Sequence, residues 1–200
     1  MTDFFRYLWR SCFARNGHGI HSPFAFDLVQ HVIEEYNYYY FYDLLDEKRQ
    51  TDLSFRCMKQ RELRLLYRLA LKFFPEKSVV ISDYSTAPKF VIQSAVGDRT
   101  VETLSATDPI QKRISSISLL YIDHCEDPNA PVLLFNQFRN DLLPDSVVII
   151  RGINRTNRSR HVWRMLSRTE ARMSMDLYDC GLMFFRSTLT RAHFKVHYRA

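Results

Sequence analysis

Glycine is scarce in this chain, with five residues among 200 where average usage is about 7%. None of the five lies between Lys77 and Val96, although the segment VVISDYSTAPKF within that interval has the strand, turn and helix rhythm of a nucleotide-binding unit. A glycine-rich turn, which would let bare backbone approach a bound nucleoside, is therefore excluded at this point. The segment therefore has the predicted strand, turn and helix of such a site but lacks the glycines that usually make room for the ligand.

Cysteine pairs at metal-binding spacing are also absent. Cys12, Cys57, Cys125 and Cys180 are widely separated and form no CxxC motif, which argues against a structural zinc site and against a disulfide framework. We expect four buried thiols.

Long apolar runs are missing as well. The longest, such as SVVII (146–150) and GLMFF (181–185), are far shorter than the roughly 20 residues that a membrane-spanning helix needs. The N-terminal segment carries an early acid, several arginines and no small-residue cleavage site, so it does not resemble a signal peptide. We expect a cytoplasmic protein that makes no membrane contact.

Apolar residues make up 46% of the chain, enough for one compact unit with a buried core. Ser22 and Pro23 predict the start of a helix over 23–35, and a tyrosine-dense segment, YNYYYFY, follows it. Apolar residues at helical spacing predict an amphipathic helix over 60–74. We predict an N-terminal helical cap over 1–55 and an α/β domain over 56–200.

From residue 78 onward, predicted strands alternate with predicted helices, which indicates a mostly parallel sheet covered on both faces. The predicted strands are 78–83, 100–105, 116–123 and 146–151, and the predicted helices are 89–95, 131–143 and 156–168. Three β-prone runs at the end, MSMDLYD, CGLMFFRS and HFKVHY, predict a terminal antiparallel hairpin.

Several of these segments together resemble a bacterial group of class I S-adenosylmethionine-dependent methyltransferases. They are GHGIHSPFAFDLV (17–29), RLLYRLALKFFPEKSVVIS (64–82), LLYIDHCEDP (119–128), LLPDSVVII (142–150) and MDLYDCGLMFFR (175–186), and the heptad HGIHSPF is the most specific part. The resemblance implies a Rossmann-like fold of seven strands with the cofactor bound across the carboxyl ends of the first strands. Only about ten residues separate the second predicted strand from the third, too few for the strand and helices that the family has there. We therefore predict a fold reduced by a strand and a helix.

The resemblance also identifies where the cofactor would lie. Positions matching the family's cleft are Asp83, Ser85, Ser105, Asp108 and Asp123. The family has an acid where Ile81 stands, glycines where Asp83 and Ala87 stand, and a ribose-binding acid where Ser105 stands. A carboxylate at 83 would repel the carboxylate of the cofactor. S-adenosylmethionine is thus the cofactor by resemblance alone, and we expect its binding to be lost or weakened.

The third strand keeps its terminal acid, Asp123, followed by His124, and these two are the candidate catalytic residues. In related O-methyltransferases an acidic pair after the next strand helps to hold a divalent metal. Arg151 and Gly152 occupy those positions here, and a guanidinium cannot ligate a cation. We expect no metal site.

Three hypotheses follow. The first is a methyltransferase-like protein with impaired or lost catalysis that acts as a binding or assembly module, with a protein partner or a second copy. The second is an active methyltransferase with a non-standard cofactor site. The third is an anion or nucleic-acid binder that uses an arginine-rich helix. Its candidate residues are Arg151, Arg155, Arg160, Arg164 and Arg168.

The arginine-rich helix has a simpler interpretation, which the sequence favours: a solvated face with salt bridges to Asp141, Asp145 or Glu170.

Overall fold

The computed structural model of the chain describes residues 21–106, 114–123, 125–196 and 198. Its helices are α1 (Pro23–Leu28, continued by a π-helical turn, Val29–Ile33), α2 (Phe41–Thr51), α3 (Leu53–Arg56), α4 (Gln60–Phe73), α5 (Ala87–Val96), α6 (Ala130–Phe138, followed by a 3₁₀ turn, Arg139–Asp141) and α7 (Asn157–Thr169). Its strands are β1 (Lys77–Ile81), β2 (Thr100–Leu104), β3 (Ile117–Ile122), β4 (Leu142–Arg151), β5 (Met173–Asp176), β6 (Cys180–Phe184) and β7 (Ala192–Lys195). None of the helices in these ranges has the length and apolarity that crossing a bilayer requires.

Local signals in the sequence account for where two of the helices, α1 and α7, begin. The Ser22 hydroxyl accepts a hydrogen bond from the backbone N–H of Ala25 (3.3 Å), and Pro23 occupies the first turn, where its missing N–H costs nothing. Thr156 caps α7 in the same way by accepting from Ser159 N (2.9 Å). These two helices therefore start where the sequence predicts.

The seven strands form one sheet in the order β2-β1-β3-β4-β6-β5-β7. Strands β1 to β4 run parallel, whereas β6 is antiparallel to both β4 and β5. The mostly parallel α/β sheet and the antiparallel hairpin of β5 and β6 confirm the predicted fold class. Residues 105–116 connect β2 to β3, and the described part of that connection, 105–106 and 114–116, contains no strand or helix.

The structure corrects two boundaries. The predicted helix over 131–143 ends at Phe138, and β4 begins at Leu142, four residues before the predicted start. The early part of β4 pairs Leu142 with Ile117, and the register shifts before Leu119, an irregularity that accommodates Pro144.

The last run, HFKVHY, contributes no third hairpin strand. It supplies β7, which pairs in parallel with β5 at the edge of the sheet.

Side chains from the two faces of the sheet enter two separate apolar clusters. Alternate residues of β3 divide between them: Leu119 and Tyr121 lie in the first cluster, and Leu120 and Ile122 lie in the second. Helices α1, α4 and α5 cover the first cluster, and α6 and α7 cover the second. The described part of the N-terminal cap thus packs into the same core as the sheet, while the division of the chain at residue 55 stays a prediction.

Arg68 on α4 holds the cap in place. Its guanidinium donates to the carbonyls of Val32 (2.7 Å) and Ile33 (3.3 Å), at the end of the π-helical turn, and to the hydroxyls of Tyr42 (3.1 Å) and Tyr198 (3.4 Å). Burial disfavours the charged form, but the interactions with the two tyrosines outweigh burial and raise the pKa of Arg68. The buried cation is therefore stabilised by neutral oxygens.

Candidate functional site

Three parallel strands, β1, β3 and β4, end side by side at one edge of the sheet, where ligands bind in open α/β folds. The residues that follow or close these strands are Ser82 after β1, Asp123 after β3 and Arg151 at the end of β4. Glu62 reaches the same place from the first turn of α4. These four side chains define what we call the strand-end cluster.

Arg151 is the centre of the strand-end cluster. Its guanidinium donates from Nη1 to Asp123 Oδ1 (3.0 Å), from Nε to Glu62 Oε2 (3.2 Å) and from Nη2 to the carbonyl of Cys57 (2.8 Å). The side chains of Arg151, Asp123 and Glu62 are only 16%, 3% and 9% exposed. Burial disfavours the charged guanidinium, but the surrounding acidic groups outweigh burial and raise the pKa of Arg151. Arg151 is thus a permanent cation between two carboxylates.

The second oxygen of Asp123 also has a partner. Oδ2 accepts from the Ser82 hydroxyl (2.7 Å), and the backbone N–H of Asp123 donates to the Ile81 carbonyl (2.8 Å). Both carboxylate oxygens are therefore bound within the protein.

Serine hydroxyls accept two backbone hydrogen bonds within the turn between β1 and α5. Ser85 N donates to the Ser82 hydroxyl (3.3 Å), and Ala87 N donates to the Ser85 hydroxyl (3.2 Å). The buried Ser85 hydroxyl in turn donates to the Ser54 carbonyl (2.8 Å), which fixes the turn against α3. The N–H groups of Ser85 and Ala87, which an open turn would offer to an anionic ligand, are thus already bonded.

Asp83 links the ends of β1 and β2. Its Oδ1 accepts from the Ser105 hydroxyl (2.6 Å) and from the backbone N–H of Ala106 (2.8 Å). The side chain is exposed, so this carboxylate stands in the open space between the two strand ends. The structure thus brings together Asp83 and Ser105, two of the positions that the sequence assigns to the cofactor cleft.

Two cavities open on either side of Arg151. One of about 410 Å³ is lined by Cys57, Tyr84, Ser85, Asp123, Glu126, Arg151 and Arg155. The other, of about 330 Å³, is lined by Lys59, Glu62, Arg151, Gly152, Asn154, Arg155, Tyr178 and Asp179. Both volumes lie in the range of small-molecule sites. Arg151 and Arg155 line both cavities, so the two cavities adjoin at these side chains.

The remaining sequence predictions for this region have mixed outcomes. His124 and Asp108 lie outside the described residues. Within the described ranges, no group of three or more His, Cys, Asp or Glu side chains is arranged to hold a metal ion. The expectation of buried thiols is correct for Cys125 and Cys180 and wrong for Cys57, which is exposed and lines the larger cavity.

The arginine-rich helix is α7, and its expected salt bridges are not those that form. Asp145 pairs with Arg186 (2.6 Å) and Glu170 pairs with Arg139 (3.3 Å), not with α7. Among the described carboxylates, none forms an ion pair with Arg160, Arg164 or Arg168. Arg151 lies away from this group, in the strand-end cluster.

Sequence reasoning missed Glu62 and Ser82. Glu62 lies 89 residues from Arg151, and its place in an amphipathic helix gave no sign that it would face the cleft. Ser82 directly follows the apolar run of β1, and its position at a strand end was the available signal.

Comparisons with known proteins place this arrangement in a recognised fold. No protein-family model matches the chain, and no curated protein matches it in sequence. Solved structures do match. The O-methyltransferase TomG from Streptomyces achromogenes, in complex with SAM, has a TM-score of 0.51 at 12% identity over 92% of this chain and 100% of TomG.

Two further structures agree. The SAH-bound methyltransferase PaMTH1 from Podospora anserina has a TM-score of 0.53 at 10% identity, covering 72% of this chain and 86% of its own. A methyltransferase from Geobacter sulfurreducens has a TM-score of 0.50 at 16% identity, covering 72% and 88%. At these identities the likeness concerns the fold, and the chain has the Rossmann-like fold of S-adenosylmethionine-dependent methyltransferases.

Proposed function

We propose that this chain is a methyltransferase-like protein in which methyl transfer is lost or strongly impaired, and which acts as a binding or assembly module. The observation that carries the proposal is the position of Arg151. Its guanidinium lies between Asp123 and Glu62 at the strand ends, so the protein's own ion pairs occupy the carboxylate that would otherwise take part in the reaction. Arg151 and Gly152 stand where related O-methyltransferases have the acidic pair that helps to hold a metal.

The residues around β1 and β2 do not fit S-adenosylmethionine bound in the usual way. The turn after β1 presents the Asp83 carboxylate where the family has bare backbone, and its N–H groups at Ser85 and Ala87 are bonded to serine hydroxyls. The methionine carboxylate of the cofactor would meet a like charge, and the N–H groups of Ser85 and Ala87 would not be available to it. Two like charges about 4 Å apart repel by about 4 kcal/mol at an effective dielectric constant of 20, enough to weaken binding by about a thousandfold.

Calorimetry with S-adenosylmethionine and S-adenosylhomocysteine tests this proposal. We expect no heat of binding at micromolar ligand, and no thermal stabilisation, whereas a ligand at 100 times its Kd would stabilise the fold by about 2.7 kcal/mol. The variant Asp83→Gly/Ser105→Asp restores the residue types of the family and should gain affinity. Asp98→Gly/Thr103→Asp makes the same chemical changes outside the cleft and should gain none. A micromolar Kd for the unmodified chain would refute the proposal.

A binding role is supported by the tyrosine-rich surface between α1 and α2. Tyr36 and Tyr40 are 82% and 94% exposed, and large exposed aromatic side chains are enriched in protein interfaces. We expect this surface to bind a protein partner, or a second copy of the chain, in the cytoplasm. Light scattering of the purified chain and of Tyr36→Ser/Tyr40→Ser separates the two: a dimer that the variant abolishes indicates self-association.

One observation favours the second function, an active methyltransferase with a non-standard site. The Asp83 carboxylate lies 2.6 Å from Ser105 Oγ, at the strand end where the family has its ribose-binding acid. Asp83 could supply from β1 the carboxylate that β2 lacks, with Asp123 at the reaction centre. This version requires that Asp83→Asn abolish cofactor binding and that Asp123→Ala abolish methyl transfer. Transfer that persists in Asp123→Ala would eliminate it.

A further inference from the structure

The outer face of α7 carries charge of one sign. Residues 157–169 contain four arginines and one histidine but no aspartate or glutamate. The apolar residues Val162, Trp163 and Leu166 face the sheet and are buried, which directs the cations to the solvent. The helix is therefore a cationic ridge on the second face of the sheet.

The guanidinium groups on this ridge differ in their partners. Arg158 donates to Asn129 Oδ1 (2.9 Å), and Arg160 is bonded to Asn157. Arg164 and Arg168 are exposed and bind no described side chain. They are separated by four residues, so they are neighbours on one face and repel each other. A helix that keeps unneutralised like charges at this spacing gives up some stability unless an anion binds there.

The cationic surface extends beyond both ends of α7. Arg155, just before the helix, is exposed and lines both cavities of the cleft. At the other end, Arg191 donates to the backbone carbonyl of Arg168, which places the Arg191 guanidinium against the last turn of α7. Burial and the nearby Arg168 and Arg191 lower the pKa of His193 on β7, which agrees with a concentration of positive charge there. We call Arg155, Arg164, Arg168 and Arg191 the arginine surface.

The chemistry of the arginine surface selects among polyanions. A helix that binds an anionic membrane inserts an apolar face beside its cations, but the apolar face of α7 is already buried against the sheet. Guanidinium groups match phosphate oxygens in geometry and donate two hydrogen bonds at once. A rise of about 1.5 Å per residue separates Arg164 and Arg168 by about 6 Å along the helix axis, suited to successive phosphates of an extended strand.

We propose that the arginine surface binds the sugar-phosphate backbone of nucleic acid. This inference goes beyond the function proposed for the cleft and does not depend on it, because three of the four arginines lie outside the cavities. Phosphate contacts of this kind carry no sequence information, so recognition would depend on charge and not on base identity.

Fluorescence polarisation with labelled 20-nucleotide single-stranded RNA and DNA of mixed sequence tests the proposal. For single strands the logarithm of affinity falls with the logarithm of salt concentration with a slope of about −0.7 per phosphate neutralised, so four contacts give a slope of about −2.8. Raising salt from 50 to 200 mM should then weaken binding about 50-fold. In Arg164→Gln/Arg168→Gln the slope should halve, and the same change in salt should weaken binding only about sevenfold.

Lys89→Gln is the matched control, because Lys89 is an exposed cation on α5, which covers the opposite face of the sheet. It should leave the slope unchanged. Circular dichroism confirms that each variant is folded. The proposal is overturned if neither RNA nor DNA binds, if the double variant keeps the full slope, or if phosphatidylserine vesicles bind the chain and nucleic acid does not.

Discussion

Replacing Arg151 by methionine isolates the energetic contribution of the strand-end cluster. Methionine keeps much of the side-chain volume but removes the cation between Asp123 and Glu62, whose side chains are 3% and 9% exposed. The variant would leave two poorly hydrated carboxylates facing each other across the space that the guanidinium now fills.

The expected cost follows from measurements on buried ion pairs. Removal of one partner of such a pair destabilises a protein by about 3–5 kcal/mol, because the remaining charge has lost both water and its counterion. Arg151 lines two cavities and keeps some exposure, so we expect the lower end, about 3 kcal/mol, or a fall in Tm of about 6–12 °C for a chain of this size. Asp123→Asn should reduce the loss, since an amide in that position can still accept from Ser82 and carries no charge.

Urea denaturation followed by circular dichroism measures the free energy of unfolding of the single and double variants. We expect Arg151→Met/Asp123→Asn to cost at least about 2 kcal/mol less than the sum of its single variants, which is the signature of directly coupled residues. Arg186→Met serves as the control, because its ion pair with Asp145 is exposed and such pairs contribute about 0–1 kcal/mol. Additive single effects, or a loss at Arg151 no larger than at Arg186, would refute the reasoning.

Two further predictions concern the core and the thiols. A Cβ on Gly181 would lie 2.4 Å from the Trp163 ring. Gly181→Ala should therefore lower the free energy of unfolding by about 1–3 kcal/mol and shift the tryptophan emission. Gly97→Ala is the control, because its Cβ would meet open space, and it should leave the emission unchanged. Burial raises the pKa of the Cys125 thiol to about 11, so about one part in a thousand is thiolate at pH 8. In the variant Cys12→Ser, a thiol reagent at pH 8 should modify Cys57 rapidly and should modify Cys125 and Cys180 only on unfolding. Rapid modification of more than one thiol would contradict the described burial.

The sheet could be predicted from the sequence because its central strands are short apolar runs between turn signals, and such runs have one favourable place in an α/β fold. The predicted order of strands and helices after Lys77 was therefore mostly correct. The sequence did not predict the strand pairing that depends on tertiary contacts. The early start of β4 comes with a register shift in its pairing with β3, and the Ser146 hydroxyl donates to the Ile117 carbonyl (2.6 Å) within this irregular part. Neither leaves a local signal.

The candidate site was predicted as a set of positions and not as a set of contacts. The resemblance to the methyltransferase family, whose cofactor lies across the carboxyl ends of the first strands, implied that Asp83, Ser105 and Asp123 share one cleft. Arg151 also occupies a position where the family has an acid, and from the sequence this substitution indicated only the loss of a metal-binding pair. The structure adds the partner, Glu62, from a helix far away in sequence, and the substituted residue thereby becomes the centre of an ion-pair cluster.

The Arg68 clamp makes the beginning and the end of the described chain depend on each other. One guanidinium holds the last carbonyls of the first helical segment and the hydroxyl of Tyr198, which lie more than 160 residues apart. Shortening the chain before Tyr198 would remove one of the four oxygens that solvate this buried cation, and the penalty would fall on the N-terminal cap as much as on the residues removed. Fusion partners and affinity tags are therefore better attached through a spacer than in place of the last residues.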